Sequence, residues 1–208
     1  MTLKTRLTAV GGGLVLALTL AACGDAEDTP PPQPGETMTT ESTTTPAAQA
    51  EGAHNDADTQ FAQMMIVHHE GAIEMADAAV EMAETDEVRA LAERISAAQG
   101  PEIEQMTSWL EGWGEETAPM DHGGMDHGGM DMDGMSQEEA MEHLGAQSGS
   151  DFDRTFLELM IAHHRGAVEM AQSELDAGEN AEALELAEKI IADQEAEIAE
   201  MEGLLEGQ

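Results

Sequence analysis

The chain has 208 residues, with 7 lysines and arginines against 44 aspartates and glutamates, a formal net charge of −37. Such a surface repels nucleic-acid phosphates and anionic membranes and concentrates cations, which excludes a nucleic-acid partner. Its single cysteine, Cys23, leaves no disulfide framework, zinc–thiolate cluster or cysteine nucleophile to a folded domain.

In chain order, Lys4 and Arg6 precede an apolar stretch from Thr8 to Ala22. It is shorter than the roughly 20 apolar residues of a membrane span and has the form of a secretory signal. Leu20-Ala21-Ala22-Cys23 resembles a bacterial lipobox, which implies cleavage before Cys23 and a lipid on its sulfur. Residues 1–22 are therefore expected to be a lipoprotein signal peptide, and 23–54, rich in Thr and Pro, a flexible tether. The expected location is the outer face of the bacterial cytoplasmic membrane, held there by the lipid.

An internal repeat organises the rest. FAQMMIVHHEGAIEMA (61–76) matches FLELMIAHHRGAVEMA (156–171) at an offset of 95 residues, and LAERISAAQGPEIEQM (91–106) matches LAEKIIADQEAEIAEM (186–201) at the same offset. Each block has helical period: Phe61, Met65, His68, Ala72 and Met75 alternate in steps of four and three, as do Phe156, Met160, His163, Ala167 and Met170. Asn55 or Asp56, Thr85 and Asn180 read as N-caps. The predicted fold is all-α: an antiparallel four-helix bundle of two duplicated hairpins, 55–113 and 151–208. Pro101 is expected to kink or split the second helix after Gly100.

Between the hairpins, residues 114–150 form a Gly-, Met- and His-rich insert. It carries MDHGGMDHGGMDMDGM (120–135) and then a short helix opened by a capping box from Ser136 to Glu139. Met120, His122, Met125, His127 and Met130 could wrap a soft ion without a preformed site. Composition alone also allows a plain linker.

The candidate ligands of the bundle are Met65, His68 and His69, repeated as Met160, His163 and His164. Each methionine lies three and four residues before its two histidines and shares a surface patch with them. On this spacing His68 lies at the centre of the apolar stripe and His69 on its flank. Met64 is a further candidate, whereas Met75 and Met170 lie two turns beyond the first histidine of each pair. Glu102 and Glu197, with Gln99 and Gln194 one turn before, are expected to orient the imidazoles. Thioether and imidazole suit copper, Cu(I) first and Cu(II) second, more than Ca²⁺ or Mg²⁺. A ferritin-like di-iron centre needs Glu-x-x-His, but Met65, Ile66, Met160 and Ile161 occupy the positions three before the four histidines.

His68-His69-Glu70-Gly71-Ala72-Ile73-Glu74-Met75-Ala76 and His163-His164-Arg165-Gly166-Ala167-Val168-Glu169-Met170-Ala171 resemble the hallmark of the bacterial family called domain of unknown function 305. The resemblance implies a ferritin-like bundle, export and, for some members, copper binding through Met and His. The leading expectation is a non-enzymatic lipoprotein that buffers, sequesters or hands on copper, with a protein partner in transfer left unidentified. The alternatives are a metal-free structural or adaptor protein of the envelope, and a Cu(I) or ferritin-like oxidase.

Overall fold

The computed structural model describes residues 52–118 and 134–207, and within them the chain is helical. The helices are α1 (Asp56–Met82), α2 (Asp86–Trp113), α3 (Gln137–Gly145), α4 (Ser150–Ala177) and α5 (Ala181–Glu206). α1 pairs with α2 and α4 with α5, and the two hairpins meet most closely along α1 and α4. The antiparallel four-helix bundle is present as expected, with α3 packed on α4 and α1. Cys23, His122, Met125, His127 and Met130 lie outside the described residues.

Local chemistry sets the helix ends. Asn55 caps α1 by accepting from Ala57 N and Asp58 N, Thr85 caps α2, and Asn180 caps α5. Ser136 and Glu139 form the reciprocal capping box at the start of α3. α2 runs unbroken through Pro101, contrary to the expected split. Pro101 and Ala97 are both exposed, so water can serve the Ala97 carbonyl that the ring leaves unbonded while packing carries the helix on.

Two aspartates lock the hairpins together, each reaching across to the other hairpin's turn. Asp153, at the start of α4, accepts from Glu84 N (2.8 Å), Thr85 N (2.9 Å) and Thr85 Oγ1 (2.6 Å) in the α1–α2 turn. Asp58, its mate 95 residues earlier, accepts from Glu179 N (3.1 Å) and Asn180 N (2.9 Å) in the α4–α5 turn. The hydroxyl of Thr85 has no counterpart there, because Asn180 donates to Ala53 O instead. Glu174 takes that place. It is buried, and no N–H reaches either of its carboxyl oxygens. Burial, the hydrogen bond with Asp58 and the charge of Asp58 push its pKa up to about 8, so near neutral pH Glu174 carries a proton that Asp58 can accept.

The core lies in two apolar clusters. One gathers Met75, Leu91, Ile95, Leu144, Phe152, Phe156, Met160 and Met201. The other gathers Phe61, Met65, Met106, Trp109, Leu110, Leu186 and Ile190. Every bundle helix contributes to both. Between the two, each helix turns polar side chains inward.

A folded-state pKa of about 8 against an ordinary 4.5 means Glu174's contribution to stability is complete below 4.5 and lost as pH rises through 8. Glu174→Gln, which keeps a donor for Asp58, should raise stability at pH 9 by about 1–3 kcal/mol and flatten the decline. Urea midpoints at pH 5, 7 and 9, compared between the two proteins, check this.

Candidate metal centre

The polar layer is built from equivalent positions of the two repeats. In α1, His68 and His69 fall between the clusters, and in α4 His163 and His164 do the same. Gln99 and Glu102 come from α2, Gln194 and Glu197 from α5. The His68 and His163 rings meet where the hairpins cross, with centroids 3.6 Å apart and planes tilted by 42°. His68 is 2% exposed and His163 4%. His69, expected on the flank of the stripe, is fully buried, because that flank is the face packed against α2.

The two histidines of each pair have different surroundings. His69 Nε2 lies 2.7 Å from Glu102 Oε2, and His164 Nε2 lies 2.7 Å from Glu197 Oε2. A carboxylate accepts, so each Nε2 carries the proton and Nδ1 is the nitrogen left to bind. Neither Nδ1 has a hydrogen-bond partner. His68 has a partner for neither ring nitrogen, and His163 Nδ1 and both amide atoms of Gln99 also lack one. Buried polar atoms almost always find partners, which makes a cluster of orphans in one layer a chemical signal.

Electrostatics keep the central pair neutral. Burial, followed by the neighbouring charges of His69 and His164, pushes the His68 pKa down to about 3. Burial and the charge of His68 hold His163 well below its usual range. For Glu102 burial acts upward, but hydrogen bonds from His69 and Lys189 outweigh it and hold the carboxyl below the usual value.

The methionines divide between the two sides of the layer. Met75 and Met160 lie in one apolar cluster. Met65 lies in the other, with half-buried Met170 packed against it. Because α1 and α4 run antiparallel, the methionine two turns after one histidine pair joins the one just before the other pair. Met75 and Met170 are thus closer partners of Met160 and Met65 than sequence distance suggests. Met64 is half-buried and belongs to neither cluster. Among the described residues no three His, Cys, Asp or Glu side chains converge as a metal-binding group, so any ion here must draw on imidazole with thioether or amide.

Two residues at the site carry no motif. Lys189 donates to Glu102 Oε1 at 2.7 Å. Its repeat mate Arg94 pairs with Glu200 instead, so the two His–Glu pairs are not equivalent. The scarcity of cations, 7 in the chain, was the signal that could have marked Lys189. Gln137, at the first turn of α3, lies beside Gly71, and no local pattern announces it.

The profile of the domain of unknown function DUF305 matches residues 58–205. The chain belongs to this family. Its fold is similar to a DUF305 fragment from Deinococcus radiodurans, at 33% identity and a TM-score of 0.65, covering 74% of this chain and 98% of that one. A DUF305 protein from Streptomyces coelicolor, also at 33% identity, gives a TM-score of 0.66 over 73% of this chain and 91% of that one. CopM in its Cu(II)-bound form is similar at 33% identity and a TM-score of 0.61, over 72% of this chain and 96% of CopM. CopM is also known in Cu(I)-bound and Ag-bound forms. No curated protein matches the chain.

Histidines whose folded pKa is depressed contribute stability that is present above their ordinary value of 6.5 and lost as pH falls toward about 3. The metal-free protein should therefore lose stability between pH 7 and pH 4. His68→Leu/His163→Leu should lose distinctly less over that interval, a difference measured by urea unfolding of both proteins at the two pH values.

Proposed function

We propose that the protein is an extracytoplasmic copper-binding lipoprotein that buffers, sequesters or hands on copper, and that it holds the metal rather than turning over a substrate. The observation that carries this reading is the buried His68–His163 pair, whose unpartnered nitrogens lie between two thioether-bearing clusters. With ring centroids 3.6 Å apart no ion fits between the ring faces. It would take in-plane lone pairs at the ring edges, with Met65 and Met160 the nearest thioethers in sequence and Met75 and Met170 beside them across the helix pair. Glu102 and Glu197 would fix the His69 and His164 rings and raise their basicity. Such a set suits Cu(I) best and Cu(II) second. The copper- and silver-bound forms of CopM support a soft ion in a relative of the same fold. His122, Met125, His127 and Met130 of the insert would add a collecting segment.

Export rests on the amino-terminal signal, and membrane attachment on the lipobox at Cys23. No helix among the described residues is long and apolar enough to cross a membrane, and the Streptomyces coelicolor relative is described as a candidate secreted protein. The protein that would give or receive copper is unidentified.

Titration with Cu(I) against a competing chelator tests the copper reading. The wild type is set beside a variant with His68, His69, His163 and His164 changed to Ala, one lacking residues 120–135, and the volume-conserving Met65→Leu/Met160→Leu. The expected result is a lost high-affinity fraction in the four-His variant, about 10-fold or more weaker binding in the Met variant, and reduced capacity in the deletion. Equal and weak binding by all four would sink the copper reading. For the anchor, Cys23→Ala should move the protein from the membrane fraction to the soluble fraction and abolish incorporation of labelled fatty acid.

A further inference from the structure

The His68–His163 pair is buried in the bundle, yet a cleft of about 230 Å³ reaches it. Its wall includes both histidines together with Glu70, Gly71, Glu74 and Gln137. The volume would hold several waters, each of about 30 Å³, and far exceeds a bare metal ion. Glu70 and Glu74 are exposed while the histidines are buried, so the carboxylates stand at the outer end of the cleft and the imidazoles at the inner end.

Across this cleft lies the side chain of Gln137, from the first turn of α3. Its Nε2 donates to the Gly71 carbonyl at 3.0 Å and to Glu74 Oε2 at 3.1 Å. A Cβ at position 71 would stand 2.9 Å from Gln137 Oε1, so glycine there lets the amide lie against α1 without having to shift. The bond to the Gly71 carbonyl falls mid-helix, where that oxygen already serves the helix, so it adds nothing that α1 needs in order to form. Gln137 thus ties a short helix from outside both repeats to the opening above the histidine pair.

We propose that this cleft is the path by which a soft metal cation reaches and leaves the His68–His163 pair, and that Gln137 sets the rate of passage. The proposal rests on the copper-binding reading above. Glu70 and Glu74 draw the cation to the outer end, and the amide of Gln137 must swing off Gly71 and Glu74 before an ion can pass. A residue acting on the path alone changes the rates in and out together and leaves the affinity unchanged.

The test uses the full chain loaded with Cu(I) and mixed with excess of a coloured Cu(I) chelator, with release followed by absorbance. The phase present in wild type and missing from the four-His→Ala variant reports the ion held by the bundle. In Gln137→Ala that phase should quicken by about 5–30-fold, the equivalent of about 1–2 kcal/mol for two hydrogen bonds weakened by exposure to water. In Gln137→Arg, which places a positive charge on the path, it should slow several-fold. Competition titration should give affinities within about twofold of wild type for both, and helical circular dichroism should be unchanged. If the phase exists and both variants release at the wild-type rate, or if affinity shifts as much as rate, the path is wrong and the copper reading stands. If wild type shows no such phase, both fall.

Discussion

Burying His68 against His163 strips water from ring nitrogens that receive no hydrogen bond in return. Each such orphan costs roughly 1–3 kcal/mol, and they lie at one level of the bundle. The rest of the architecture is what makes that level tenable. Two apolar clusters flank it along all four helices, and Asp58 and Asp153 fasten each hairpin to the turn of the other. Neither cluster is complete without both hairpins, so the polar layer cannot form unless the whole bundle does. Stability is thus supplied above and below the layer, which leaves the layer itself free to be poorly satisfied.

Within the layer the work is divided. His69 and His164 are oriented by carboxylates that fix which nitrogen carries the proton. His68 and His163 have no such guide and are held by packing alone. The outer pair is thus fixed by carboxylates, while the central pair keeps open lone pairs between two clusters that carry methionines. Lys189 then breaks the equivalence of the two sides. Its ammonium pairs with Glu102 Oε1 while Glu102 Oε2 faces His69 Nε2, whereas its repeat mate Arg94 pairs with Glu200.

What could be read from the sequence was what local rules govern. Caps at Asn55, Thr85, Ser136 and Asn180 depend on side chains two or three residues from the amides they serve, and the repeat makes two hairpins unmistakable. The polar layer was legible only as a list of candidates. That His68 meets His163, and that Met75 shares a cluster with Met160, depends on where α1 crosses α4, which no single helix encodes. Pro101 does not split its helix, because propensity describes an isolated helix, whereas its exposed position in a packed one tolerates the ring. The Asp58 and Asp153 clamps were missed although each stands three residues before Phe61 or Phe156 at the 95-residue offset. Extending the repeat one turn toward the amino terminus would have raised them.

The two repeats also record which parts of the bundle are under chemical rather than packing constraint. Core positions such as Phe61 and Phe156, Leu91 and Leu186, and Ile95 and Ile190 are identical, yet at others that need only volume or a cap the copies have drifted: Thr85 corresponds to Asn180, Ser96 to Ile191, Val67 to Ala162 and Pro101 to Ala196. In the layer they have not. His68 and His163, His69 and His164, Gln99 and Gln194, and Glu102 and Glu197 are identical, as are Met65 with Met160 and Met75 with Met170. Met106 and Met201 are identical too and lie in the apolar clusters, so the methionine pairs alone do not separate a ligand role from packing, and the distinction falls to the histidines. Buried imidazoles without partners are costly in either copy, and packing alone would have favoured an apolar residue at one of them. Identity at these costly buried polar positions, unlike identity at the apolar ones, has no packing advantage behind it, and the metal-holding role proposed above would supply the reason.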